Sequence, residues 1–170
     1  NSNLGALRVD ADAGNDAVIV RSFAAADGSA ALVNGNLVVA AGAGVDEVSV
    51  IGTAIADTYL MEQDRIRGAG RSIVLSAATE VLRLNAGAGD DRVTVHGTRA
   101  STYTEVLGGL GSDLMTVAGA VTGLIASNTA VPAVIAAETT DALVWLVGSF
   151  GSAAMAVCGG VVSLPPPPAV

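Results

Sequence analysis

The chain has no lysine, a single histidine and a single cysteine, and only 3% of its residues are aromatic. Each shortage closes off a class of function. A lone cysteine, Cys158, forms neither an intrachain disulfide nor a thiolate metal cluster, and its small-residue apolar surroundings suit a buried free thiol. With His96 as the only imidazole, a nucleophile–histidine triad has one place to be, and His96 sits at a strand position equivalent to Ile51. Eight arginines against sixteen acids leave a formal charge of -8, which disfavours nucleic acid and anionic membranes. The few aromatics, Tyr59, Tyr103, Trp145 and Phe150 among them, are too dispersed for a stacking platform. A core without large rings is built from Ala, Val, Leu and Gly, material that suits thin, regular layers.

What is present is repetition. Ala41-Gly42-Ala43-Gly44-Val45-Asp46-Glu47-Val48-Ser49-Val50-Ile51-Gly52-Thr53 returns 45 residues later as Ala86-Gly87-Ala88-Gly89-Asp90-Asp91-Arg92-Val93-Thr94-Val95-His96-Gly97-Thr98, with nine of thirteen positions identical. Related glycine-acid turns precede Ala17-Val18-Ile19-Val20 and Leu114-Met115-Thr116-Val117. Alternating β-branched residues bounded by Gly, Asn and Asp predict strands entered from tight turns. Asp16, Asp46, Asp91 and Asp113 are spaced by 30, 45 and 22 residues. A unit near 22 residues fits the last gap once and the middle gap twice; the first needs an insertion, placed at Asp27-Gly28-Ser29.

Such units are too thin to bury an apolar face singly, so they stack. The expected fold is all-β, a parallel β-solenoid of roughly 22-residue strand-turn repeats, in which Val48, Val50, Val93, Val95, Met115 and Val117 form an interior ladder. An antiparallel β-sandwich or tandem Ig-like modules would use the same turns. The expected organisation is a repeat region over 1–124, an irregular connection or insertion over 125–138, a degenerate repeat over 139–164 and a polyproline II linker beginning at 165–170; the best helical window, Ala126–Leu143, reads as irregular or a short helix. The uncharged run Ala142–Leu164 is long enough for a membrane span. Its glycines, its lack of basic flanks and its echo of Gly111–Val121 favour another worn repeat.

The run Glu-Val-Leu-x-Leu-x-Ala-Gly-Ala-Gly-Asp-Asp-x-Val-x-Val-x-Gly-Thr, followed by Leu-Gly-Gly-Leu-Gly-Ser-Asp, resembles the degenerate hemolysin-type (RTX-like) Gly-Asp repeats of giant secreted and cell-surface proteins. The resemblance covers roughly Val9–Val121. It implies tandem all-β modules, and in the calcium-binding form of that family the glycine-acid units follow one another directly. Here the turns are about 22 or more residues apart, and Ala153 stands where the preceding copy has Asp113. The lysine-free, Ala-rich sequence running into Pro165, Pro166, Pro167 and Pro168 also resembles the proline-rich wall and mastigoneme-like axial glycoproteins of green algae. That likeness implies glycosylation of those prolines if they are hydroxylated.

Candidate metal ligands are Asp90 and Asp91 with Asp113, and Asp46 with Glu47, because a hard cation such as Ca²⁺ takes several oxygens from a turn. The structural alternative is that these acids hold tight turns through backbone hydrogen bonds. Otherwise no cofactor is expected. No pair of carboxylates stands out for catalysis; Arg65, Arg67 and Arg71 suggest an exposed hairpin, or a patch for acidic glycan. The leading expectation is a non-enzymatic structural repeat module of an extracellular filament or adhesin-like surface protein. Its partners would be copies of itself or other filament and surface proteins, or glycans, without nucleic-acid binding or membrane insertion. The alternative is a polysaccharide lyase or glycosidase on a β-helix.

Overall fold

A computed structural model describes residues 7–24, 35–120, 124–127, 142–147 and 153–158, with side chains as far as Ala118. The Asp27–Ser29 insertion, the segment 128–141 and Pro165–Pro168 lie outside the described residues. Every regular element described is a strand. In chain order they are β1 (Leu7–Asp10), β2 (Ala17–Arg21), β3 (Leu37–Ala40), β4 (Glu47–Ile51), β5 (Thr58–Glu62), β6 (Arg65–Gly68) and β7 (Arg71–Leu75). There follow β8 (Val81–Asn85), β9 (Arg92–Gly97), β10 (Tyr103–Leu107), β11 (Leu114–Ala120), β12 (Leu124–Ser127), β13 (Ala142–Val147) and β14 (Ala153–Cys158). The last two occupy part of the uncharged run, and among the described residues no helix is long and apolar enough to cross a membrane.

The strands form two seven-stranded sheets, ordered β1-β3-β7-β6-β5-β9-β11 and β14-β13-β12-β10-β8-β4-β2. From β1 to β5, and again from β7 to β12, the chain passes back and forth between them. Successive strands within a sheet are mostly parallel. Antiparallel pairing is confined to β5-β6-β7 and to β13-β14, so the strands do not pair as an antiparallel sandwich would.

Alternation along each strand supplies the core. One row of the first sheet runs Leu7, Leu37, Ile73, Ile66, Met61, Val95, Val117, a residue from every strand. In the second sheet Val20, Val50, Leu84 and Val106 stand in register. The two sets pack into one cluster. Full burial of a side chain of this size contributes about 1.5–3 kcal/mol, so the rows supply much of the stability that the scarce rings do not.

Two expectations need correction. Val48 and Val50 belong to the second sheet, whereas Val93, Val95, Met115 and Val117 belong to the first; the six share one core but not one ladder. Nor is the repeat uniform. Neighbouring parallel strands are offset by 22 residues at β9-β11 and β8-β10, by 20 at β10-β12, by 30 at β1-β3 and by 34 at β4-β8. The long step contains the β5-β6-β7 meander. Its second hairpin turns through Ala69 (φ 46°) and Gly70 (φ 73°), the paired positive φ values of a tight two-residue turn.

Candidate functional site

The acids gather at the two edges where the chain crosses between sheets. On one edge, where it leaves the first sheet, 11–16, 41–46 and 76–80 lie side by side; on the other, 52–57, 86–91 and 108–113 do. The two nearly identical sequence segments therefore supply opposite edges. Asp46 stands on one, while Asp90, Asp91 and Asp113 stand on the other, so the candidate ligands do not form one group.

On each edge the carboxylates link one tier to the next. Asp46 Oδ1 accepts the Asp16 N–H at 2.9 Å, and Glu80 Oε2 accepts the Asp46 N–H at 2.9 Å. Opposite, Asp91 Oδ1 accepts the Asp57 N–H at 2.6 Å and Asp113 Oδ1 accepts the Asp91 N–H at 3.0 Å. The residue before the acid works in the other direction: Asn15 Oδ1 accepts the Val45 N–H, and Asp90 Oδ1 the Ser112 N–H, both at 2.9 Å. Asp57 alone also closes its own turn, accepting from the N–H and hydroxyl of Thr53. The expected self-capping of each turn is thus largely replaced by bonds to a neighbouring tier 22 to 34 residues away.

Glycine makes this closeness feasible. At Gly109 φ is 96°, and a Cβ there would lie 2.0 Å from the Gly87 carbonyl oxygen; at Gly42, with φ 104°, it would lie 1.7 Å from that of Asp12. Either position excludes a side chain both by backbone conformation and by space.

Burial gives the second edge a distinct electrostatic character. Asp91 is 0% exposed, and its Oδ2 has no hydrogen-bond partner. Desolvation, with the negative charges of Asp113, Asp57 and Asp90, pushes its carboxyl up to about 6 against the opposing pull of the Asp57 N–H. Next to this column Tyr59 is buried, packed against Gly52 and Gly68, and burial raises its phenol above the ordinary range.

Among the described residues no three of His, Cys, Asp or Glu are grouped so as to hold a metal ion. One oxygen each of Asp46, Asp91 and Asp113 accepts a backbone N–H and so attaches turn to turn. His96 is exposed on β9. Of the three clustered arginines, Arg65 and Arg67 stand on the outer face of the first sheet. Arg71 instead lines a groove with Leu7, Val9 and Val18 at the β1-β2 end. Sequence reading passed over Arg83 and Arg92. Arg83 pairs with Glu47 at 3.2 Å and with Glu105, across three adjacent strands, and lies 5.8 Å from the centre of the Tyr103 ring. The 36- and 22-residue spacings that bring these three together become visible only with the strand register. No family model, curated protein or solved structure matches the chain.

Proposed function

We propose that this chain is a stretch of parallel β-solenoid and serves as a structural module of a long extracellular filament or cell-surface protein, acting by stacking on copies of itself. The carrying observation is the unfinished state of the β1-β2 end. Inside the stack each acid of the first edge receives an N–H from the tier before it: Asp46 from Asp16, Glu80 from Asp46. Asp16 occupies the same position in the first described turn of the column. The inward row continues here too, with Leu7 66% exposed although its in-register neighbour Leu37 is buried. Among the described residues β1 and β2 are end strands, and with the apolar row they match what one more tier of the same kind would cover.

The Gly-Asp turns resemble those of giant surface proteins and support the same reading, as does the use of acids as inter-tier ties rather than as a convergent catalytic pair. Sedimentation velocity and negative-stain microscopy over a wide concentration range test it. Elongated, concentration-dependent assemblies that dissociate in a Leu7→Asp/Val9→Asp variant are expected. A chain that stays monomeric throughout, or assembles equally well with both aspartates in place, overturns it.

A further inference from the structure

The meander that interrupts the repeat also changes the charge of one face. We propose that the outer face of the first sheet, around Arg65, Arg67 and Arg92, binds an acidic polysaccharide. Alternation opposite buried Ile66, Met61, Val93 and Val95 places these three arginines on the outside. Register sets Arg67 beside Leu60 and Leu60 beside Thr94, which stands next to Thr116 on β11. Arg92 lies two residues along from Thr94 on β9.

Within this patch Glu62 lies 3.5 Å from Arg67, while Arg65 and Arg92 make no ion pair among the described residues. In a chain of net charge -8, a face that carries three arginines against Glu62, two of them outside any ion pair among the described residues, points to an anionic partner.

The shape of the patch selects the kind of anion. β6 and β9 are separated by β5, and Arg92 is two residues along from the level of Arg67 and four from that of Arg65, so it stands roughly 12 and 16 Å from them across the sheet. An extended polymer with carboxylates or sulfates at intervals can reach several guanidinium forks at once. Leu60, Thr94 and Thr116 between and beside them offer an apolar surface and hydroxyls suited to a sugar ring. Nucleic acid fits less well, because no aromatic side chain lies here to stack a base; exposed Tyr103 is on the other sheet.

This proposal does not depend on end-to-end stacking, and its test separates the two. The full chain is titrated calorimetrically with polygalacturonate, heparin and, as neutral control, dextran, at low and high salt. Binding to at least one acidic polymer, none to dextran and weakening with salt are expected. The Arg65→Ser/Arg67→Ser/Arg92→Ser variant, checked for folding by circular dichroism, should bind about tenfold weaker or less, having lost three charge-assisted contacts. Arg21→Ser, removing an exposed arginine of the other sheet, should bind as the parent does. Absence of binding to both acidic polymers, an unaffected triple variant, or equal loss with Arg21→Ser overturns the proposal. So does self-association that depends on the three arginines without polymer binding, which would make the patch a contact between copies.

Discussion

The two edges of the stack share one nearly identical turn, 41–46 on one and 86–91 on the other, yet they bury their acids to different degrees. On the edge of Asp16, Asp46 and Glu80, only Asp46 is fully buried; on the edge of Asp57, Asp91 and Asp113, all three aspartates are. The first column begins at the exposed β1-β2 end and finishes with a longer side chain. The second crosses the middle of the described stack. A motif's chemistry is therefore set by its tier and by the element laid beside it, as much as by its own residues. The same carboxylate–N–H bond is partly hydrated on one edge and desolvated on the other.

Crowding gives the largest expected difference between the edges. Gly109→Val places a branched side chain against the Gly87 carbonyl in the second column, just after β10, which is paired on both sides by β8 and β12, and should cost more than about 3 kcal/mol. Gly42→Val meets the Asp12 carbonyl in the terminal tier, which can separate from the rest, so its cost should be smaller. Chemical denaturation of the two variants measures both, and equal losses would argue against a terminal tier able to yield.

A smaller contrast follows from the ties themselves. Asp113→Ala leaves the buried Asp91 N–H without an acceptor and should destabilise by about 1–3 kcal/mol. Asp46→Ala frees the Asp16 N–H at a half-exposed tier that water reaches, so about 1 kcal/mol or less is expected. Urea titrations check the order of the two.

A third contrast between the edges appears with pH. The Asp91 carboxyl titrates near 6 in the fold, above its ordinary value of 3.8, so the folded state holds that proton more tightly than the unfolded one. Its contribution is most favourable below about pH 4, declines as pH rises toward 6 and is level above that. Melting temperatures from pH 4 to 7 should carry this decline, and Asp91→Asn should flatten it while keeping an oxygen for the Asp57 N–H. An unchanged profile in that variant would assign the titration elsewhere.

Much of the strand pattern was legible in the sequence. Alternation at Val48 and Val50, and at Val93 and Val95, marks inward positions that the structure buries, because burial on one face of a strand imposes a period of two. The Arg65–Arg71 hairpin was likewise legible from its Gly-Ala-Gly turn. What sequence did not reveal is which edge each turn occupies. Residues 41–53 and 86–98 encode the same local geometry, and nothing within them records that the intervening meander adds strands to one sheet only. Spacing alone consequently suggested two stacked units of 22 where the chain makes one long step. The ties of Asp91 to Asp57 and of Asp113 to Asp91 stayed hidden for the same reason: their offsets of 34 and 22 residues follow from loop lengths, not from a motif. The clustering of Arg65 and Arg67 could be seen, but their company with Arg92 on one face required the register, as did the departure of Arg71 to the groove.

The exchange of edges is the central claim, and backbone NOE contacts in the isotope-labelled protein test it most directly. Cross-strand contacts should join Val93 to Met115 and Val48 to Leu82, with none between the backbones of Val48 and Val93. A ladder of contacts running directly from Val48 to Val93 would contradict the account, since it would place the two copies of the motif on the same sheet.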